Sequence, residues 1–579
     1  MKTNNQRSTV RCWTAGLAMS FTLCVLIFGF GKVHAALNDD VAIIRALSGF
    51  SGTYPDFLPF THSLIVWPVV WLHQHIPSIH WYSWLMVGSF YFSVAVIFKS
   101  LFQRSADGKW CLALLLGLTS FVLIWLTAAV DLTFTNISTF LGCAAAVQLL
   151  SFEADKASTR QMLGAVILAF MLAALGYALR MENLYPILGF CGLAALVQCF
   201  SLRLSDGAWQ KEKLKHLLCC LSIPVIGLAL LVGWRAWECS LSQNQKIMEW
   251  QDASEVVMDY QGMGELPEEV LSDIGLTREG AEMVQRWYFL DSAVNTQAFQ
   301  KLAAYHDETT GKSEGIGQLW QSQVALWRYV GEKSELLAGV IWIGICFLLV
   351  CTGRQKVLRH IAEITLVFWL LLMTVLGIRG RLVVRGLLAA VGPEAMLMTM
   401  MALISVPFSD WMQWRKRILC VLMAVLALGG AALQSQEKFS ADFQLLRAYR
   451  LQNLWSFVDE YAVQNPDTLF ILNSLKDDRL FPDMKGGKIT NVLFYGGWRC
   501  QDSDYRAQLS RYGINPDDMD GRLFLQDNVR LVSLDNEVEQ AMLAYIQSLC
   551  EEMVEAIVEE KFDLFSSSIR VIRYQLKQE

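Results

Sequence analysis

Two adjacent carboxylates, Asp39 and Asp40, are the first residues of the chain suited to chemistry. They directly follow a long apolar segment, residues 13–35, and three basic residues precede that segment. The positive-inside rule therefore predicts a cytoplasmic N-terminus and places both carboxylates at the outer membrane surface. A carboxylate there could act as a general base, although a solvated helix end would carry the same residues.

Three arginines, Arg379, Arg381 and Arg385, form a second candidate group between two apolar segments on the predicted outer side. A guanidinium can donate two parallel hydrogen bonds to phosphate oxygens, so these residues predict a phosphate clamp. Anchoring to lipid headgroups is the alternative. Basic residues on the outer side depart from the positive-inside rule, which favours a specific role about as strongly as anchoring.

Further polar and aromatic residues near the predicted outer surface are candidates for the lining of a cavity. They are His62, Trp81, Tyr82, Asp131, Arg180, Glu182 and Glu394. Arg180 and Glu182 form a charged pair at the end of one apolar segment. Glu394 follows Gly392-Pro393 and falls within the bilayer, where ionisable residues usually face a cavity.

The histidines do not predict a metal site. Four of the eight lie in residues 62–80, but His73 and His75 are two apart and so lie on different faces of a helix. A metal would require carboxylates such as Asp56 or Asp40 to fold back towards them. We predict polar interfacial histidines and no cofactor, and a divalent metal stays open as the alternative.

The composition sets these residues in a strongly hydrophobic chain. Of 579 residues, 54% are hydrophobic and 18% charged, and the mean hydropathy is +0.35. These values exclude a soluble enzyme as the default class, and the net charge of −6 gives no indication of nucleic-acid binding. The composition predicts a polytopic membrane protein.

Hydropathy predicts about eleven membrane spans of roughly 20 residues each. They are residues 13–35, 82–101, 110–130, 134–152, 162–179, 184–200, 217–234, 336–350, 361–378, 382–406 and 418–433. Basic clusters fall on alternate loops, all on the side of the membrane that holds the N-terminus. This pattern predicts a multi-pass protein of the cytoplasmic membrane with its C-terminus outside. Residues 33–35 resemble a signal-peptide cleavage site, but the length of the first segment favours an anchor.

Two regions follow from this topology. Residues 1–433 form a transmembrane module with outer loops at 36–81 and 238–333, and residues 434–579 form a small extracytoplasmic α/β domain. Short apolar runs at 468–473, 491–495 and 522–525 predict strands, and residues 554–561 and 569–576 predict a hairpin. The tail contains no nucleophile motif, so we expect a structural or recognition lid. A Cys500–Cys550 disulfide stays open.

These candidate residues fit one reaction. Nucleotide sugars are absent outside the cytoplasmic membrane, so a sugar transferase there needs a membrane-bound donor such as a polyprenyl-phosphate sugar. The transfer requires a carboxylate base for the acceptor hydroxyl and cations for the departing lipid phosphate. Asp39 or Asp40 could be the base, and Arg379, Arg381 and Arg385 the phosphate clamp, with inversion of the sugar if no covalent intermediate forms.

The chain resembles the GT-C glycosyltransferase superfamily. The resemblance lies in Asn38-Asp39-Asp40 just beyond the first span, the interfacial segment that reaches Trp81-Tyr82, the many spans and the outer C-terminal region. It is most similar to multispanning bacterial membrane proteins in which Asn-Asp-Asp is followed by Thr-x-Pro, here Thr53-Tyr54-Pro55, and by a Trp-Tyr pair. The chain lacks the WWD-type motif of oligosaccharyltransferases, which argues against protein N-glycosylation.

This resemblance implies a GT-C helix bundle and an acidic base in the first outer loop, which Asp39 and Asp40 match. Asp39 is favoured because the matching family position is closest to the helix exit. The implied partners are a polyprenyl-phosphate sugar, membrane lipids and a glycan or lipid acceptor. Two alternatives stay open, a transporter or flippase of lipid-linked glycan and a non-catalytic envelope assembly protein. Ion-coupled carriers usually place charged residues near the bilayer midplane, and here Glu394 is almost alone there.

Overall fold

The computed structural model describes most of the chain. The described residues are 2–31, 33–35, 38–50, 53–105, 109–202, 210–309, 316–353, 355–380, 382–407, 412–438, 454–473, 481, 490–564 and 567–577. Within these ranges the chain is mainly helical, and a five-stranded sheet lies near its C-terminal end.

The helices of the N-terminal three quarters vary in length from five to 29 residues. They are α1 (Lys2–Phe30), α2 (Asn38–Leu47), α3 (Ser63–His75), α4 (Trp81–Arg104), α5 (Trp110–Ser120), α6 (Leu126–Val130), α7 (Phe134–Leu149), α8 (Thr159–Leu179), α9 (Leu184–Ser201), α10 (Lys211–Cys239), α11 (Ser242–Glu255), α12 (Glu268–Ile274), α13 (Arg278–Gln285), α14 (Thr296–Thr309), α15 (Ile316–Glu332), α16 (Ser334–Cys351), α17 (Lys356–Arg379), α18 (Val384–Ser405) and α19 (Gln413–Lys438). Short π-helical turns, Phe121–Trp125 and Val256–Gln261, follow α5 and α11.

In the described part of the chain, nine helical stretches are long and apolar enough to cross a membrane. They are Thr9–Phe30, Trp81–Arg104, Trp110–Val130, Thr159–Leu179, Met181–Ser201, Lys211–Cys239, Ser334–Cys351, Lys356–Arg379 and Val384–Ser405. Each corresponds to one of the eleven predicted spans. The chain therefore has the helices of a multi-pass membrane protein.

The other two predicted spans also form helices. Helix α7 has 16 residues and a rise of ~24 Å, less than the ~30 Å of the hydrocarbon core. Its side chains are all buried, because α4, α8, α9 and α18 pack around it. Helix α7 is thus the centre of the bundle and shorter than the predicted 134–152. The eleventh segment, 418–433, lies in α19, part of whose side chains fall outside the described set.

Buried polar contacts hold the two ends of α7. At its C-terminal end, Lys99 Nζ and Ser100 Oγ donate to Gln148 Oε1 at 2.9 and 3.1 Å. At its N-terminal end, the Thr133 hydroxyl accepts a hydrogen bond from the Asn136 N–H at 3.0 Å. Two short parallel strands, β1 (His34–Ala35) and β2 (Asp131–Leu132), connect the exit of α1 to the start of α7. The acidic pair is thereby placed beside the first turn of α7.

The C-terminal region is built around the sheet. Its strands are β3 (Leu469–Leu472), β4 (Val492–Phe494), β5 (Val529–Ser533), β6 (Val554–Leu564) and β7 (Ser567–Leu576), and its α-helices are α20 (Leu454–Gln464), α21 (Ser503–Arg511) and α22 (Asn536–Ser548). The strand order is β4-β3-β5-β7-β6, with the first three strands parallel and the last two joined as an antiparallel hairpin. Strands form at two of the three predicted short-strand positions, and β6 and β7 form a hairpin where one was predicted.

One predicted strand of the tail is wrong, and the structure answers the question of a Cys500–Cys550 disulfide, which the sequence left open. The expected strand at 522–525 is a 3₁₀ helix, Gly521–Leu525, because Asp520 caps it by accepting a hydrogen bond from the Arg522 N–H at 2.8 Å. Cys500 and Cys550 are free thiols, so the structure contains no disulfide between them.

Candidate functional site

A cavity of about 480 Å³ lies at the end of the bundle that holds the acidic pair. We call it the site cavity. Its walls come from three parts of the chain: the ends of bundle helices, the α11–α13 region and the C-terminal sheet. It is therefore assembled from residues far apart in sequence.

Asp39 is the member of the acidic pair that lines the site cavity. Its side chain is half-buried, and its Oδ1 atom accepts a hydrogen bond of 3.2 Å from Trp498 Nε1. The Trp498 ring in turn meets the edge of Phe60, with ring centroids 5.3 Å apart. The C-terminal region thus orients this carboxylate directly and leaves it at the cavity wall.

Asp40 points into the protein core. It is fully buried, and its Oδ1 atom accepts a hydrogen bond of 2.7 Å from the Phe134 N–H at the first turn of α7. Its Oδ2 atom has no hydrogen-bond partner among the described residues. Burial raises the pKa of Asp40 well above its usual range, and the neighbouring Asp39 adds to this rise. The hydrogen bond from the Phe134 N–H and the positive charges of Arg385 and Arg180 act in the opposite direction. The hydrogen bond to the Phe134 N–H ties Asp40 to the first turn of α7.

The contrast between the two carboxylates follows from helix geometry. Adjacent residues of an α-helix differ by about 100° around its axis, so one side chain of the pair in α2 can face a cavity while the next faces the core. Tyr82 lies beneath Asp40, fully buried and close enough to feel its charge. Tyr82 therefore belongs to the polar core under the site rather than to the cavity wall.

Two of the predicted arginine positions line the site cavity. Arg385, in the first turn of α18, is one of them, and Arg180, at the end of α8, is the other. Arg180 Nε is 2.6 Å from Glu182 Oε2, which confirms that this charged pair forms. The Arg180 guanidinium also lies over the Phe60 ring, 4.8 Å from its centroid, and this contact fixes the direction of the cation.

The other predicted phosphate ligands are placed differently. Arg379 is exposed at the end of α17 and does not line the site cavity, whereas Arg381 lies outside the described residues. Of the three arginines predicted as a phosphate clamp, Arg385 is thus the one that the structure places in the cavity lining, together with Arg180.

The remaining predicted cavity residues have structural contacts elsewhere. His62 caps α3, since its Nδ1 atom accepts from the Leu64 N–H at 3.0 Å, and burial lowers its pKa. Trp81 Nε1 donates to the Ile76 carbonyl at 3.0 Å, and Asp131 pairs with His34 at 3.4 Å in the β1–β2 connection. Glu394 is fully buried in α18, about 14 Å along the helix from Arg385. None of these four side chains lines the site cavity.

Three further arginines line the site cavity and were not predicted. Arg45 is buried between the rings of Phe50 and Phe494, 4.3 and 5.2 Å from their centroids, and pairs with Asp459 at 3.7 Å. The others, Arg286 and Arg499, each contact carboxylates of their own segments. Five arginines and three carboxylates line the cavity, and four of the arginines, Arg45, Arg180, Arg286 and Arg499, also pair with carboxylates outside the lining.

The α11–α13 region and the residues that follow its helices contribute Glu255, Asp259 and Trp287 to the cavity lining. Tyr288 and Gly496 form an antiparallel bridge, and the Phe289 N–H donates to the Tyr495 carbonyl at 3.2 Å. A Cβ atom on residue 496 would overlap the carbonyl oxygen of Trp287, so this close approach requires glycine. The bridge attaches the C-terminal region to the wall of the site cavity.

The carboxyl ends of two parallel strands face the same space. Leu472 and Asn473, at the end of β3, line the site cavity together with residues 492–499, which include β4 and the turn after it. Open α/β sheets commonly bind ligands outside the carboxyl ends of their strands. In the sequence, the Gly496-Gly497-Trp498 turn after an apolar run was the available signal for this part of the site.

Within the described residues, no group of three or more His, Cys, Asp or Glu side chains is arranged to hold a metal ion. The cavity lining offers three half-buried carboxylates, Asp39, Glu255 and Asp259, together with five guanidinium groups and several aromatic rings. Comparisons with protein-family models, with curated proteins and with solved structures find no match to this chain.

Proposed function

We propose that the chain is a membrane glycosyltransferase of GT-C type, which moves a sugar from a polyprenyl-phosphate donor to an acceptor hydroxyl in the site cavity. One observation carries the proposal. The half-buried carboxylate of Asp39 lines a cavity at one end of the helix bundle, and arginines from separate helices line the same cavity. General-base catalysis needs the carboxylate, and departure of a lipid phosphate needs the cations.

In the proposed reaction, Asp39 accepts the proton of the acceptor hydroxyl as its oxygen bonds to the anomeric carbon of the sugar. The bond from that carbon to the phosphate oxygen breaks, and its electron pair stays on the lipid phosphate. Arg180 and Arg385 stabilise the added negative charge by charge-assisted hydrogen bonds. Attack and departure on opposite faces of the sugar invert the anomeric centre.

The membrane arrangement supports an acceptor outside the cytoplasm. Basic clusters on alternate loops favour the outer face of the cytoplasmic membrane for the acidic pair, and the nine apolar helices of the described residues are compatible with a multi-pass protein. In this proposal the C-terminal region is on the same side as Asp39, because its Trp498 contacts Asp39. The lipid donor would enter the site cavity from the bilayer.

Single Asn substitutions of the acidic pair test the proposal. Cells that lack the wild-type protein receive the wild type, Asp39→Asn, Asp40→Asn or a control, Asp273→Asn, whose carboxylate is exposed on α12 away from the site cavity. Mass spectrometry then compares surface glycans and lipid-linked precursors. We expect Asp39→Asn to lower transfer by about 10²–10⁴-fold, the usual contribution of a general base, and the other two variants to retain it.

Two outcomes would count against the proposal. Unchanged glycans in cells that contain folded, membrane-inserted Asp39→Asn would exclude a base role for Asp39. Loss of the lipid-linked precursor from the outer leaflet alone, with its sugars intact, would favour a flippase.

A further inference from the structure

Trp287 has a backbone conformation that its side chain does not favour. Its φ angle is +65°, and it is the one non-glycine residue with positive φ in the described part of the chain. In this region the Cβ atom of an L-residue approaches the carbonyl oxygen that follows, which is worst for bulky side chains. Such outliers persist where the surrounding structure fixes them, and they are concentrated at functional sites.

The turn itself does not require tryptophan. Helix α13 ends in a Schellman motif, in which the Trp287 N–H donates to the Val284 carbonyl at 2.8 Å and the Tyr288 N–H to the Met283 carbonyl at 3.0 Å. Trp287 occupies the position of this motif where glycine is usual. Glycine would make the same backbone hydrogen bonds without strain, so the reason for tryptophan lies in its side chain.

The indole ring of Trp287 contacts another aromatic ring, but much of its surface is exposed. It lies 5.7 Å from the Phe289 ring, which packs edge-on against Trp250 at 5.6 Å. The Trp287 side chain nevertheless remains 44% exposed and lines the site cavity. Close packing of its carbonyl against Gly496 holds the backbone in place. A large aromatic face is thus presented to the site cavity in a fixed orientation.

The cavity lining also contains polar groups that can bind hydroxyls. They are the carboxylates of Glu255 and Asp259, the amide of Asn473 and the guanidinium of Arg286, the residue before Trp287. Carboxylate and amide groups suit neutral hydroxyls, whereas the carboxylates would repel a phosphate. The C–H face of a pyranose ring carries partial positive charge and packs against the negative face of an aromatic ring.

We infer that Trp287 is the stacking platform for a pyranose ring in the site cavity, with Glu255 and Asp259 as acceptors for its hydroxyl groups. The inference rests on the proposed function, because it names the sugar-binding part of the same cavity. Residues 496–498 contact Trp287 at one end and Asp39 at the other, so the bound ring would lie next to the base. The ring belongs either to the donor sugar or to a glycan acceptor.

Substitution by glycine separates binding from folding. Purified wild type, Trp287→Gly, Trp287→Phe and a control, Trp320→Ala, are compared in nanodiscs. Trp320 is 70% exposed on α15 and does not line the site cavity. The probes are methyl pyranosides of glucose, galactose, mannose and N-acetylglucosamine, measured by saturation-transfer NMR and calorimetry, with thermal unfolding measured alongside.

We expect Trp287→Gly to bind the preferred pyranoside about ten-fold more weakly, which is about 1.4 kcal/mol, while its unfolding temperature stays the same or rises. Trp287→Phe keeps a smaller aromatic face and should lose two- to four-fold, and Trp320→Ala should bind as the wild type does. Asp39→Asn should also retain pyranoside binding. This result would hold even if the transfer reaction itself were disproved.

Three outcomes would overturn the inference. They are wild-type affinity in Trp287→Gly, a marked fall in its unfolding temperature, or no binding of any of the four pyranosides to the wild type. A short-chain polyprenyl phosphate then distinguishes the two sources of the ring. Competition with the pyranoside would assign the ring to the donor, and independent binding would assign it to the acceptor, and both results support the stacking platform.

Discussion

Asp40→Asn should stabilise the protein increasingly as the pH rises. Burial raises the pKa of Asp40 in the folded state above the value of 3.8 that applies to an exposed carboxyl. Between these two pKa values, unfolding releases a proton, so the stability of the wild type falls as the pH rises. The fall begins near pH 3.8 and stops at the folded-state pKa.

The size of the change in stability follows from the release of one proton per molecule on unfolding. Each pH unit within this window costs the wild type about 1.4 kcal/mol, a ten-fold change in the folding equilibrium. Asparagine does not titrate, and its carbonyl oxygen can still accept the 2.7 Å hydrogen bond from the Phe134 N–H. Its NH₂ group replaces the unpartnered Oδ2 atom near Tyr82 and contributes a constant difference of about 1–3 kcal/mol at most.

Unfolding of the two proteins by SDS in mixed micelles measures the difference at pH 4, 5, 6, 7 and 8, with Asp273→Asn as the exposed control. The gain of Asp40→Asn over the wild type should rise with pH and then level off at the folded-state pKa. Titratable groups that are present in both proteins contribute equally to the two stability curves, so their contributions cancel in the difference. Parallel stability curves from pH 4 to 8 would refute the reasoning, because they would show that Asp40 does not titrate in this environment.

Two further substitutions test the contacts that close the site cavity. In Gly496→Ala the added Cβ atom should overlap the Trp287 carbonyl oxygen and lower the free energy of unfolding by about 1–3 kcal/mol. The control is Gly331→Ala, whose added Cβ atom meets no atom within 4 Å and should not destabilise the protein. Equal effects of the two substitutions would exclude the close approach of Gly496 to Trp287. Arg45→Ala removes the 3.7 Å ion pair with the buried Asp459 and should lower the free energy of unfolding, by at most about 3–5 kcal/mol, in the same SDS titration. Asp459→Asn in the same chain should recover part of this loss, and strict additivity of the two changes would contradict the pairing.

Local patterns in the sequence were sufficient for most of the elements. A span needs only a continuous apolar run, so hydropathy found all nine apolar helices described above. The short strands β3 and β4 were found because parallel strands buried on both faces read as apolar runs. The exception, Gly521–Leu525, reads as a strand by composition, but Asp520 immediately before it caps a helical turn.

The candidate site was only partly predictable, because its contacts join distant segments. The sequence singled out Asp39, Arg180 and Arg385, but it favoured Asp39 over Asp40 only through a resemblance to a family. The structural difference between the two depends on a contact of Asp40 with Phe134, 94 residues away. Trp287 lies at the site cavity because the next residue, Tyr288, pairs with Gly496. A tryptophan at the end of a short helix was a visible pattern, but its positive φ angle was not.

The hydrogen bond from Trp498 to Asp39 joins residues 459 positions apart in the chain. A ribosome that adds about 5–20 residues per second takes roughly 20–90 s to synthesise that length. During this interval the acidic pair has already left the ribosome, but the strand and turn that complete its surroundings do not yet exist. A chain that ends before β4 would contain the nine apolar helices and Asp39 but lack the segment that orients the carboxylate. Completion of synthesis is therefore a condition for a finished site, and nascent or truncated chains lack the contact that orients Asp39.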